Sequence, residues 1–524
     1  MEEALSNTLI LDKIISRFPG NSKDLRKLRL VAKLWDEVVL SLRIPEIRLN
    51  LNPLIRVGHG PWRQGPFVST ALSYSSLYHK LARSIHVTLP ANETSGPAAV
   101  ASLLQDIEHF LKYFSHSIQS LSVLGGVNMG SLLHTLFVTC DLPNLRELSI
   151  TVDDWKVQTS NNFVGIDGSR VPVKIPAQPK LVKIRYIVAT KVNYNSACGA
   201  DEQKFLRNVI AAAPNLEELE IRDGYFFIPG EILGGKLKSF KLNWMIDRIS
   251  NLDLTSLLNL NKFLEDVRVY LERLELGVDV QVFSRVYNFD QFRDKFHLPG
   301  GGLPKLKSFV NGGMRIFKCP IKELEKMEGL KHLNLCEVPD ISHRRGSVLI
   351  NGILKRGHVW RNVTSLRLCG IESSSMLERI GPMFPSLKKL SVTVSEWMRS
   401  SYYPDNFLVM VFNTFEGLTG LTHLTVLAPF PLLFSSFLDF LEYLSTFSPE
   451  VRHVKLEHSS CTEDSDSTDY KVYRILEVDT VNRGRFYGLV PALRKRNSTE
   501  FSGVMFGRHL GLEFRKDSEF VPIF

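Results

Sequence analysis

The stretch PNLEELEI, residues 214–221, sets apolar residues at Leu216, Leu219 and Ile221, separated by two variable positions and then by one. In an extended strand side chains alternate between faces, so Leu219 and Ile221 point to one side and Leu216 packs from the entering turn. The variable residues between and beside them face the other way. A single such strand has one apolar face and nothing to cover it.

The same spacing returns along the chain at Ile118, Leu121, Val123; at Leu145, Leu148, Ile150; at Leu181, Ile184, Tyr186; and at Leu237, Phe240, Leu242. It continues through Leu271, Leu274, Leu276; Leu330, Leu333, Leu335; Val363, Leu366, Leu368; Leu387, Leu390, Val392; Leu421, Leu424, Val426; and Val451, Val454, Leu456, with a degraded copy at Leu306 and Phe309. Steps between copies run from about 21 to 36 residues, the period of stacked repeats. Several copies are introduced by Pro-Asn-Leu or a near equivalent, as at 143–145, 179–181, 214–216, 304–306 and 385–387. Each strand needs a returning segment, and apolar residues at helical spacing supply one at 201–213, 376–384 and 434–447. Strand, turn, helix and turn, stacked copy on copy, predict an α/β solenoid with a parallel sheet inside.

This pattern resembles the leucine-rich repeat, in the irregular form carried by F-box proteins, over about residues 110–460. The Asn or Cys expected after the last anchor is mostly absent, and Cys336 and Cys369 stand one residue past their anchors. The resemblance implies a curved horseshoe whose variable strand positions line a concave recognition face. On that face Arg185, Arg222, Trp244, Asn334, Arg367 and Trp397 are the candidate substrate-binding residues.

Ahead of the repeats, residues 1–43 carry two amphipathic periodicities. Leu5, Leu9, Ile10, Ile14 and Phe18 recur at three- and four-residue steps, Pro19-Gly20-Asn21-Ser22 breaks the helix, and Leu25, Leu28, Val31, Trp35, Val38 and Leu42 resume the step. Leu30 and Leu34 widen the apolar surface past one stripe. About forty residues with this much apolar surface sit at the lower limit of independent stability, so the unit needs something to pack against.

The order Leu5, Leu9-Ile10, Ile14, Asp24-Leu25, Arg29-Leu30-Val31, Lys33 and Trp35 resembles an F-box. Two positions depart from that motif: Ser6 stands where the family has Pro, and Ala32 where it has Cys. The resemblance implies docking on the Skp adaptor, and through it on a cullin, by Leu5, Leu9, Ile10, Ile14, Leu25, Leu30, Val31 and Trp35. It thereby implies a substrate-recruiting subunit of an SCF-type ubiquitin ligase with no chemistry of its own. The alternative is a leucine-rich-repeat scaffold or receptor in which these helices only cap the solenoid.

Composition is that of a folded protein, with 44% hydrophobic and 23% charged residues. The net charge of +9 is spread widely, and the densest basic clusters, 343–345 and 494–496, are short. Nucleic-acid binding wants a longer basic stripe with interleaved aromatics. A basic groove for an acidic protein or an inositol phosphate fits the charge equally well.

The six cysteines form no C-x-x-C, which argues against a zinc module and a secreted disulfide framework. No apolar run reaches the roughly eighteen residues of a membrane span, and the start lacks a signal-peptide pattern, so a cytoplasmic or nuclear protein is expected. No nucleophile elbow or phosphate loop occurs, metal-ligand spacing is missing, and neither cofactor nor metal is expected. Residues 44–110 read as a connector with first repeat-like elements. From 461 the chain changes to an acidic, hydroxyl-rich stretch, Glu463 to Asp469, followed by a C-terminal cap of strands at 472–478, 484–489 and 501–514 and a helix at 491–496.

Overall fold

A computed structural model describes residues 48–51, 54–56, 62–64, 83–88, most of 105–125, 136–137, 140–152, 175–188, 206–222, 236–245, 254–279, 295–313, 321–336, 348–371, 374–394, 418, 420–428, 442, 453–458, 500–505 and 508–510. The two amphipathic segments before residue 43, the 434–447 helix apart from residue 442, and the 472–478, 484–489 and 491–496 elements lie outside them. The chain forms two compact units, 1–270 and 271–524.

In the first unit β1 (Arg48–Leu51) is followed by a two-stranded antiparallel ribbon of β2 (Leu54–Arg56) and β3 (Trp62–Gln64). The repeat strands then come in order: β4 (Ser84–Thr88), β5 (Ser120–Gly125), β6 (Glu147–Val152), β7 (Lys183–Val188), β8 (Glu218–Arg222) and β9 (Ser239–Met245). Every neighbour pair from β1 and β4 through β9 is parallel. Helix α1 (Leu254–Val267) closes the unit, burying Leu257, Leu260, Phe263, Leu264 and Val267 on one face.

The second unit holds β10 (Arg273–Asp279), β11 (Ser308–Asn311), β12 (His332–Cys336), β13 (Ser365–Ile371), β14 (Lys389–Val394), β15 (His423–Ala428), β16 (His453–His458) and β17 (Glu500–Met505), again parallel in sequence order. A last strand, β18 (Arg508–Leu510), turns back antiparallel to β17. Helices α2 (Ile321–Glu325), α3 (Val348–Lys355), α4 (Ser374–Leu377) and α5 (Ile380–Met383) return between strands. Each unit is a solenoid-like repeat stack. No helix among the described residues is long and apolar enough to cross a membrane.

The register accounts for the three-anchor pattern. Ile85, Leu121, Leu148, Ile184, Leu219 and Phe240 pair strand to strand in one row, and Val87, Val123, Ile150, Tyr186, Ile221 and Leu242 in the next. All twelve are at most 1% exposed. The first anchors, among them Ile118, Leu145, Leu181, Leu216 and Leu237, form a third buried row beneath the turns. A large aliphatic side chain buried this way stabilises by about 1.5 to 3 kcal/mol, but only because its neighbours in the stack remove it from water.

A fourth buried residue stands three positions before the first anchor: Leu142, Gln178, Ala213, Leu303, Met327, Trp360, Phe384 and Leu418. Its carbonyl accepts the anchor's amide, as in Leu145 to Leu142 at 3.1 Å, Leu181 to Gln178 at 3.1 Å and Leu330 to Met327 at 3.1 Å. That closes a four-residue turn, and the recurring Pro falls at its second position, where a fixed φ is an advantage.

The recurring Asn has its own task. Asn144 Nδ2 donates to His116 O at 2.6 Å, Asn215 Nδ2 to Pro179 O at 2.7 Å and Asn362 Nδ2 to Glu328 O at 2.6 Å, each reaching the turn of the preceding copy. Lys180 Nζ and Lys236 Nζ then donate to Asn144 Oδ1 and Asn215 Oδ1, both at 2.6 Å. Thus Pro shapes five of these eight turns, and Asn at 144, 215 and 362 ties its turn to the preceding one.

Two expectations change in detail. The 376–384 helix is broken into α4 and α5 by a turn at 378–379. Pro382 lacks the N–H that a continuous helix would direct at residue 378, although Met376, Leu377, Ile380, Met383 and Phe384 are all buried as the spacing predicts. The degraded copy at Leu306 and Phe309 is a full repeat whose third anchor is Asn311, 0% exposed, in register between Leu276 and Leu335. Its Oδ1 accepts the Gly313 amide at 3.1 Å, so a polar side chain sits in the apolar row with a partner. Asn311→Ala is expected to lower the second unit's unfolding free energy by about 1 to 3 kcal/mol, the cost of stranding a buried amide. Equilibrium urea denaturation followed by circular dichroism checks this.

Candidate recognition face

Opposite the buried rows, each strand presents its alternate residues outward. On β7 to β9 these are Lys183, Arg185 and Ile187, then Glu218, Glu220 and Arg222, then Ser239, Lys241 and Asn243. Charges of opposite sign meet across the strands. Arg185 Nε lies 2.6 Å from Glu220 Oε2, Lys241 Nζ 3.7 Å from Glu220 Oε1, and Lys183 Nζ 3.6 Å from Glu218 Oε2. Such exposed pairs contribute about 0.2 to 1 kcal/mol each, and cross-strand opposition is where they help a sheet.

The sequence-named residues separate into distinct environments. Arg185 is exposed on the outward face but engaged by Glu220. Arg222 is half-buried, paired in register with Ile187 and Asn243. Asn334 and Arg367 lie side by side in register on β12 and β13, Asn334 half-buried and Arg367 exposed.

Trp244 is a correction: the structure places it in the core at 1% exposure. Strand β9 continues to Met245, so the alternation that buries Phe240 and Leu242 buries Trp244 as well. It therefore does not line the outward face on which the sequence placed it as a candidate. Trp397 and the eight apolar residues assigned to adaptor docking lie outside the described residues.

Cys336 and Cys369, both half-buried, pair in register across β12 and β13 with Cα atoms 4.4 Å apart and are joined as a disulfide. The scattered sequence positions gave no sign of it, because 33 residues separate two side chains that the stacking brings together. Just past Cys369 the strand bulges at Gly370, whose φ of 93° suits a residue without a side chain. Thr393 Oγ1 donates to Cys369 Sγ at 3.7 Å from the next strand. Among the described residues no group of three or more His, Cys, Asp or Glu is placed to hold a metal ion.

What the face offers is a broad array of polar side chains on a rigid sheet. That suits binding a surface or a segment of another molecule. No family model matches the chain, and no curated protein matches it. Among solved structures it is similar to one chain of the yeast Rad7 and Elc1 complex, at 11% identity and a TM-score of 0.34, over 68% of this chain and 82% of that one.

Proposed function

We propose that this chain is a substrate-recruiting subunit of a ubiquitin ligase of the SCF type. In this reading the helical segment before Arg43 docks on the Skp adaptor, and through it a cullin, by Leu5, Leu9, Ile10, Ile14, Leu25, Leu30, Val31 and Trp35. The outward face of the repeats binds the protein to be modified, in the cytoplasm or the nucleus. Ubiquitin transfer is carried out by other subunits. The contribution of this chain is proximity, which raises the effective concentration of target near the charged carrier.

The observation that carries the reading is the order Asp24-Leu25, Arg29-Leu30-Val31, Lys33 and Trp35 directly ahead of a repeat stack. The test is co-purification of the full chain, and of a chain beginning at Arg43, with the Skp adaptor and cullin. Retention by the full chain and loss on truncation supports the ligase reading. Equal behaviour of the two leaves a repeat scaffold with an N-terminal cap.

A further inference from the structure

The outward charges of the second unit differ from those of the first. On β6 to β9, Lys183 pairs in register with Glu147 and Glu218, while Glu220 receives Arg185 and Lys241. At the start of the second unit the same compensation holds, with Lys307 Nζ 2.7 Å from Glu272 Oε2. From β12 to β15 it stops. These four strands, HLNLC, SLRLCGI, KLSVTV and HLTVLA, contain no Asp or Glu.

Cations nonetheless collect at their N-terminal ends. Lys331 and Lys388 occupy equivalent turn positions, with Thr364 between them linked by Thr364 N to Lys331 O and Lys388 N to Thr364 O, each 2.9 Å. Lys389 pairs in register with Ser365 on one side and His423 on the other, and Arg367 lies diagonally across on β13. Lys331, Arg367, Lys388 and Lys389 are exposed, and none meets a carboxylate among the described residues. His332 is exposed in the same edge. Glu337 and Glu372 follow the opposite ends of β12 and β13 in sequence and lie outside the described residues.

Neighbouring strands are about 4.8 Å apart, so Lys331 and Lys388 are separated by about 10 Å across the sheet. All four cations fall within about one Debye length of their neighbours, and their potentials add rather than being screened apart. Asn334, Ser391 and Thr425 share a register row with Arg367, and Ser365 stands in the next row beside Lys389, so the rest of the surface offers hydrogen-bonding groups that carry no opposing charge.

We propose that the N-terminal edge of the β12–β15 face binds an acidic segment of a protein partner, laid across the strands with its carboxylates over Lys331, Arg367, Lys388 and Lys389. This names the partner chemistry for the recognition face and rests on that face being used for recognition. Adaptor co-purification, read on the same variants, is independent of it.

The probe is a fluorescein-labelled oligo-glutamate peptide titrated with the full chain and followed by anisotropy. Binding that weakens as salt is raised is expected, and K388E/K389E should weaken it by about tenfold or more. K322E/K355E changes net charge by the same amount at exposed positions of the returning helices α2 and α3 and should leave it nearly unchanged. Equal weakening by both pairs would overturn the proposal, because diffuse net charge would then be the cause. So would absence of binding. So would binding seen only after Glu463, Asp464, Asp466 and Asp469 are neutralised, because the face would then serve the chain's own acidic stretch.

Discussion

A chain carrying Leu30→Ala and Trp35→Ala is expected to lose co-purification with the Skp adaptor altogether while its repeats melt as before. The argument starts from surface. Leu30 and Leu34 lie off the stripe made by Leu25, Leu28, Val31, Trp35 and Val38, so two helices of this sequence would carry more apolar face than they could bury against each other. Truncating a large buried side chain costs about 2 to 5 kcal/mol, and Trp is the side chain most enriched among those that dominate interfaces.

Two such losses exceed what a transient protein contact spares, since each 1.4 kcal/mol is tenfold in affinity. The readout that separates the two uses of the segment is the melting of the repeats. A helical cap covering the end of a stack stabilises its terminal repeats, so the double variant would then lower and broaden the melt. Unchanged melting with lost adaptor binding assigns the segment to docking.

The repeat was legible because its signal is redundant. Leu-x-x-Leu-x-Leu specifies a turn residue and two same-face strand residues, and eleven copies repeat it, so errors at single positions do not hide it. The parallel sheet follows from the period, since only a crossover returns the chain to the same end of the next strand. Less legible was anything fixed between copies.

The disulfide joining Cys336 to Cys369, and the reach of Asn215 to Pro179 O, depend on stacking register that no single repeat encodes. Asn311 looked like a lapse in the pattern because periodicity treats a polar residue as outward. Its burial is permitted by one local amide, that of Gly313, which spacing does not reveal. Trp244 erred the other way, where the length of β9 rather than the residue type decided the face. The outward face of the strands was thus legible from alternation, but which of its charges are already spoken for emerged only from neighbours such as Arg185 and Glu220.

The largest effect on the first unit is expected from Phe240→Ala. Phe240 is 1% exposed in the row that runs from Leu219, and its ring meets Phe263 of α1 with centroids 4.7 Å apart and planes at 60°. The residue therefore joins strand to returning helix within one copy and strand to strand between copies. Removing a buried Phe costs about 3 to 5 kcal/mol through lost transfer energy and the cavity left behind.

Tilted ring pairs add about 0.5 to 1.5 kcal/mol, and a double-mutant cycle with Phe263→Ala should return a coupling of that size. Lys241→Ala, one residue along on the outward side, should stay within about 0.5 kcal/mol. Because a stack of repeats is stabilised by each copy and its neighbours, the loss should be local. Hydrogen exchange in Phe240→Ala should accelerate first in β8, β9 and α1, with β5 and β6 protected longer. Uniform acceleration across the unit would instead mean that its repeats unfold as a single cooperative block, and that the ladder of turns matters more than the copy it passes through.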